Sequence, residues 1–447
     1  MRTAIVGGHL IDAANRVDGM LNLVTENGKV VWAGTEMPEA DRVIDAGGLV
    51  VTPGWIDIHM HEDPVSDGKI RQSIFPMALA MGVTTDLGGN CGINVYDPGD
   101  YLDLVDRDGA AVHVAMLAGH EYFRKAAGAE NIYEKAADSQ LDTMARGIDR
   151  ALARGCAGVS FGLRYVPGAD AREFYRAARC CQPSKKLIAS HVRDDADAIF
   201  AAIAEFCEAG FQYGLPVQIS HIGSMGGFGQ MEQVLRQVDG YKLRGLDIAM
   251  DCYPYFAFST RIGTPTYDPG WLERYHCGYG VLEFCEGKYK GQRATKETFD
   301  EVRRTDPRCI TVCHVMRPED IRMAFRHPAV MLGSDGLMDN GQGHPRAAGS
   351  FPRFLREFAG TDLTLYQAVE KMTAQPAARL RLRGKGRLNA GADADITIFD
   401  PARIQDRATF EAPAAPPEGI EYVLLGGEIA LEHGRILRTD LGRSVRV

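Results

Sequence analysis

Residues 51–63 read VTPGWIDIHMHED, and residues 82–94 read GVTTDLGGNCGIN. In each stretch a short apolar run breaks off into residues able to hold a metal. Side chains alternate across a strand, so His59 and His61 fall on one face. The same event recurs down the chain. Apolar runs at 54–61, 82–89, 111–119, 157–162, 186–191, 217–221, 246–253 and 330–335 predict eight strands, and the fifth, sixth and eighth end in Ser190-His191, Ser220-His221 and Ser334-Asp335. Helical patterns such as QLDTMARGIDRALARG and ADAIFAAIAEFCEAG lie between them. Strands that alternate with helices predict a parallel sheet. Eight at this spacing predict an α/β fold, a (β/α)8 TIM barrel, although the count alone also fits an open doubly wound sheet. In a barrel the C-terminal strand ends share one mouth, so the polar residues would converge there.

The two ends read differently. Short apolar runs with Gly-rich turns fill 1–52 and 384–447, and Asn27-Gly28 between two such runs signals a hairpin. The expected organisation is a barrel domain at 53–383 flanked by one small β-sandwich, built from 1–52 and 384–447. Two unrelated β appendages are the alternative. Residues 265–309 are less regular and are expected to form an insertion before the last strand, where a substrate lid would sit.

Of the 447 residues, 45% are hydrophobic, enough for a sizeable core without disulfides. The net charge of −9, with no basic face, argues against a nucleic-acid partner. No stretch approaches the ~18 consecutive apolar residues of a membrane span, so no membrane partner is expected. The N-terminus lacks the apolar run of a signal peptide. Ten cysteines are scattered without framework spacing, which predicts reduced thiols and a cytoplasmic protein. Nothing in the sequence sets an oligomeric state.

Taken alone, each candidate ligand has an ordinary explanation. A strand-end histidine is usually a hydrogen-bonded structural residue, as expected for His113 and His327. Asp335 alone could cap a helix, and Cys91 alone could be a packed thiol. Repetition at strand after strand favours a metal site. Imidazole and thiolate suit zinc, whereas magnesium would want more oxygen donors. Zinc lowers the pKa of a bound water to roughly 7 and polarises a carbonyl under attack. Asp335 is the expected catalytic group, taking the proton from that water and returning it to the leaving nitrogen.

With these stretches in place, further ones follow in order: AGHEYFR (118–124), SFGLRYVPGA (160–169), ASHVRDD (189–195), QISHIGS (218–224), DCYPYFAFST (251–260), LGSDG (332–336), HPRAAGSFPRFL (344–355) and GRLNAGADADITIFDP (386–401). Together they resemble the N-acyl-D-amino-acid deacylase, or D-aminoacylase, branch of the amidohydrolase superfamily, over nearly the whole chain. GNCG and HPR…FPRFL are the more specific segments. The resemblance implies a TIM barrel with a β-sandwich from both termini and a mononuclear or dinuclear zinc site. Cys91, His191 and His221 would hold one tight zinc. His59, His61 and Asp335 would form a second, weaker position, with Cys91 able to bridge. Related branches bridge with a carboxylated lysine at the end of the fourth strand, where this chain has AGVSFGLRY and no lysine.

The implied substrate is a small N-acyl amino acid, with a D preference that rests on the resemblance alone. Tyr253 and Ser259 match family positions that grip its carboxylate. A lysine is common two residues after the sixth-strand histidine, and here that place is Gly223. Arg193 and Arg346 are candidates to replace it, because a guanidinium grips a carboxylate with two hydrogen bonds. An ion pair with Asp194 or Asp195 is the equal alternative for Arg193. His120 and Arg124 either line the pocket or support it from behind. The expected reaction is zinc-dependent hydrolysis of a linear amide. A cyclic amidase of the hydantoinase or dihydroorotase type is the alternative, and a zinc-binding protein without catalysis a third reading.

Overall fold

The computed structural model describes residues 1–339 and 341–447. Eight strands run in chain order around one sheet: β1 (Trp55–Asp57), β2 (Val83–Gly88), β3 (His113–Gly119), β4 (Gly158–Gly162), β5 (Leu187–His191), β6 (Val217–Ile219), β7 (Ile248–Cys252) and β8 (Val330–Leu332). Every neighbouring pair is parallel. An open doubly wound sheet would reverse its strand order at a switch point, and this order never reverses. The ring closes just beyond the ends of β1 and β8. There the Asp335 N–H donates to His59 O at 2.6 Å, and the His61 N–H donates to Gly336 O at 3.0 Å. The TIM-barrel expectation therefore holds.

Alternation along the strands separates two cores. Val114 and Met116 of β3 join Val159, Ile188, Val217 and Phe206 in the layer between strands and helices. Their neighbours Ala115 and Leu117 join Ile56, Ile58, Leu87, Ala189 and Met331 in a second cluster. The helices carry matching faces: in Asp138–Ala153 the buried residues are Leu141, Met144, Ala145, Ile148, Ala151 and Leu152, at helical spacing. Among the described residues, no helix is long and apolar enough to cross a membrane.

The two chain ends meet in a pair of sheets. One, of four strands, uses residues 2–45 alone. The other has seven strands, and in it Val50–Pro53 pairs antiparallel with Ile396–Phe399, joining N-terminal to C-terminal segments. Ile5, Leu23, Val30 and Ile44 of the first sheet share a core with Leu10, Val51, Ile396, Ile398 and Leu424 of the second. Asn27 and Gly28 adopt φ values of 51° and 77°, the left-handed pair that a tight hairpin turn needs. The final residues leave the sheets and return to the barrel. The Gly442 and Val445 N–H groups donate to Ala110 O and Val114 O, both at 2.8 Å.

Between β7 and β8 the chain builds a folded module rather than a loose loop. Phe258–Arg261, Ile310–Cys313 and Leu282–Phe284 form a three-stranded antiparallel sheet with 310–313 in the middle. Tyr267, Trp271 and Phe299 pack beneath it, with Trp271 stacked on Phe299 at 5.4 Å.

Candidate metal centre and active site

The mouth of the barrel gathers six potential ligands into two groups that share Cys91. His59, His61, Cys91 and Asp335 form one; Cys91, His191 and His221 form the other. Within each group every ligand atom lies within 4.8 Å of the rest, and all six residues are buried. Cys91 Sγ is 3.4 Å from both His59 Nε2 and His221 Nε2. Asp335 Oδ1 is 3.2 Å from His61 Nε2 and 3.5 Å from His59 Nε2. Thiolate, imidazole and carboxylate at such spacing fit a borderline-soft metal. His191 Nδ1, buried and without a hydrogen-bond partner, fits the same conclusion.

The backbone is bent to present these groups. Cys91, His221 and Asp335 all take left-handed conformations, with φ of 54°, 33° and 51°. Such conformations cost about 1–3 kcal/mol each away from glycine and persist where the surroundings enforce them. Around Cys91 the enforcement is visible. Gly89 and Gly92 have φ of 75° and 78°, and a Cβ on Gly89 would meet Leu117 O at 2.2 Å. Ser160 of β4 accepts from the Gly92 N–H at 3.0 Å and donates to Gly89 O. The fourth strand, which has no lysine, thus pins the cysteine loop instead.

A layer of carboxylate and hydroxyl groups orients the imidazoles. Asp251 Oδ1 lies 2.9 Å from His59 Nδ1 and accepts from the His221 N–H at 2.7 Å. Its Oδ2 accepts from Gln218 Nε2 at 2.8 Å. Ser224 Oγ sits 2.9 Å from His221 Nδ1. Both histidines therefore aim Nε2 at Cys91, the arrangement by which outer partners fix a ligand's tautomer.

Electrostatics separates the two groups. Burial pushes the Cys91 thiol up, but His59 and His221 outweigh it and hold the thiol well below its ordinary value. Burial, together with the neighbouring His221, depresses His191 to about 4. Against burial, the Asp335 hydrogen bond and Cys91 raise His61 to about 9. Asp335 is also opposed by burial, yet Arg346 above all, with His221 and His59, holds it well below the usual carboxylate range.

A small cavity opens over the ligands, lined by His191, His221 and Asp335, by Tyr165, Asp195, Ser224 and Arg346, and by Phe258, Ser259, Thr260, Thr266 and Tyr275 of the inserted module. Of the sequence-derived candidates, Arg346 and Ser259 reach it. Arg346 Nη1 is 2.9 Å from Asp335 Oδ2, its guanidinium lies 4.6 Å over the Tyr253 ring, and its Nε has no partner. Tyr253 backs Arg346 from outside the cavity lining.

Two candidates lie elsewhere, and their expected contact with substrate gives way to structural pairings. Arg193 grips Glu205, not Asp194 or Asp195, through Nε at 2.8 Å and Nη2 at 2.8 Å. His120 is fully buried, with Nε2 2.8 Å from Glu173 Oε1, and Arg124 Nε donates to the same oxygen at 2.9 Å. Gly223 is explained by packing. A Cβ there would lie 2.7 Å from Ile321 Cδ1 and 2.8 Å from Cys252 Sγ, so a side chain at this position would have to displace both. His113 and His327 are tied to Asp395 and Asp239, each at 3.1 Å, as structural residues.

Sequence reading missed Asp251, Tyr165, Ser224, Asp195 and the module residues Thr260, Thr266 and Tyr275. The first four stand in stretches already quoted, so their place beside strand ends was the available signal. Thr260 also ends a quoted stretch, beside Ser259; Thr266 and Tyr275 carried no signal, because an antiparallel excursion gives no barrel register.

A closed (β/α)8 barrel with histidine, cysteine and aspartate ligands converging at its mouth defines a metal-dependent hydrolase of the amidohydrolase type. Comparison with known proteins agrees. The amidohydrolase family pattern matches residues 297–431. D-aminoacylase of Alcaligenes xylosoxydans xylosoxydans is 32% identical over 95% of this chain and 93% of its own length. N-acyl-D-glutamate deacylase of the same organism is 32% identical over 90% of this chain and 89% of its own. The crystal structure of N-acyl-D-glutamate deacylase from Bordetella bronchiseptica, in complex with zinc and a phosphonate mimic of the tetrahedral intermediate, superposes with a TM-score of 0.89. It is 28% identical and covers 100% of this chain and 99% of that one. The chain belongs to the D-aminoacylase family of amidohydrolases.

Proposed function

We propose that this protein hydrolyses the amide bond of a small N-acyl-D-amino acid to a carboxylate and a free amine, with zinc as its metal, in the cytoplasm. The observation that carries the reading is the shared Cys91 between two ligand groups beneath one cavity. Cys91, His191 and His221 would hold one tight zinc; His59, His61 and Asp335, with Cys91, would hold a weaker second ion. The bound metal supplies an acidified water and a polarised carbonyl.

The chain's own residues do the rest. Asp335 is a carboxylate at neutral pH, held so by Arg346. Its Oδ2 is fixed by Arg346 while Oδ1 faces the histidines, so Oδ1 is the atom that accepts the proton of the attacking water. The same atom returns that proton to the leaving nitrogen. Arg346, with Nε unpartnered, and Ser259 form the end of the cavity suited to the substrate carboxylate. Tyr253 holds the guanidinium plane in place.

The reading is tested by giving zinc-loaded protein linear N-acetyl-D-amino acids alongside hydantoin and dihydroorotate. Amine release from the linear amides, without ring opening, is the expected result. Ring opening as the faster reaction would assign the site to a cyclic amidase.

A further inference from the structure

The cavity lining includes polar groups besides Arg346 and the metal-site residues. Asp195 is one of them, 3% exposed, four residues beyond the metal-site residue His191. One carboxylate oxygen, Oδ2, accepts the Tyr275 hydroxyl at 2.5 Å. The other, Oδ1, has no hydrogen-bond partner. Arg274 Nε is 3.2 Å away and Arg164 Nη2 3.7 Å, but neither directs an N–H at it. Thr266, 4% exposed and lining the same cavity, also has an unpartnered hydroxyl. Arg274 ties the two together, since its Nη2 donates to Thr266 O. The proposed reaction uses none of these groups.

Buried polar atoms are ordinarily satisfied, and an exception in a binding cavity calls for a partner from the ligand. The charge balance says which kind. Arg164 and Arg274 flank Asp195, and Arg164 also pairs with Asp194 at 2.6 Å, so the surroundings of Asp195 are near neutral. A cation is not demanded and a second carboxylate would face Asp195. Arg164 Nε and Nη2 and Arg274 Nε are also without partners, but Asp195 lines the cavity and neither arginine does, so the partner that a ligand in the cavity can supply to Oδ1 is a donor. Burial pushes Asp195 up to about 6 despite Arg164 and Tyr275, so at neutral pH it is a carboxylate that gains from one more hydrogen bond.

We propose that Asp195 and Thr266 form a specificity subsite for an uncharged hydrogen-bond donor, a primary amide or hydroxyl, on the part of the substrate remote from the scissile bond. The inference rests on the deacylase reading and sharpens its substrate class. The donor belongs either to the amino-acid side chain or to the acyl group, and substrates can separate the two.

The test measures kcat/KM of the zinc-loaded enzyme on N-acetyl-D-glutamine, N-acetyl-D-methionine and N-acetyl-D-glutamate. A second arm compares succinamoyl with pentanoyl on D-methionine. The donor-bearing member of one arm should be preferred over its apolar match by about tenfold, the worth of one hydrogen bond to a charged group. Glutamate should be the poorest of its set. In Asp195→Asn and Thr266→Val that preference should fall towards one, the donor-bearing substrate losing more than its apolar match. Equal losses on every substrate would mean that Asp195 only anchors the module, and would overturn the subsite. A ratio near one in both arms, or a preference for glutamate, would overturn it as well, with deacylation intact. Hydrolysis of none of these amides would overturn the deacylase reading and the subsite with it.

Discussion

The two ligand groups at the mouth share Cys91 and contribute two histidines each, but only one adds a carboxylate, and their surroundings differ electrostatically. In the group of Cys91, His191 and His221, burial keeps His191 neutral, with its pKa near 4, so its lone pair is free at physiological pH. In the group of His59, His61 and Asp335, burial is outweighed: Asp251 and Cys91 hold His59 well above its ordinary value, and Asp335 with Cys91 raises His61 to about 9. A metal entering the first group finds His191 already neutral. One entering the second must expel protons and compete with Arg346 for Asp335. The difference teaches that the protonation state imposed by the surroundings, together with ligand identity, ranks metal sites.

Removing the shared or tight-group ligands should have the largest effect. Cys91→Ala and His221→Ala are each expected to drop zinc content from about one ion per chain to near zero and to abolish turnover, read by elemental analysis of dialysed protein. Full zinc retention in both would erase the distinction between the groups. Asp335→Asn comes next. It should keep the tight zinc and lose about 10²–10⁴-fold in kcat, because the asparagine cannot take up the water's proton. A variant as active as wild type would remove Asp335 from proton transfer.

Asp251→Asn probes the support beneath both groups. Since Asp251 touches His59 Nδ1 and the His221 N–H, zinc affinity should weaken about 10–100-fold, measured by competition with a chelator. The smallest effect is on stability. In metal-free protein the folded His61 value of about 9 exceeds its unfolded value of about 6.5, so its protonation stabilises the fold fully below pH ~6.5. That contribution is lost as pH rises through about 9. The melting temperature of metal-free protein should fall across this window, and His61→Asn should flatten the fall.

How far the sequence reached follows from where periodicity exists. The barrel was legible because eight apolar runs alternate with helical patterns and most of them lead into a marked residue, and the ligands were legible because strand ends in a barrel have one possible destination. The terminal sheets were readable from turns such as Asn27-Gly28. The cavity wall was not. Thr266 and Tyr275 are placed by a module whose fold depends on Tyr267, Trp271 and Phe299 packing together, a tertiary fact without a local period. Arg193 misled for a related reason. Its neighbours in sequence suggested pairing with Asp194 or the pocket, yet Glu205, twelve residues on, offers the better geometry.

The most direct test is amine release from paired N-acetyl-D- and N-acetyl-L-amino acids, by the same protein before and after zinc is stripped and restored. The account predicts release from the D series only, lost on stripping and regained with one zinc per chain. Release from the L series at an equal rate, or release that survives complete removal of metal, would contradict it.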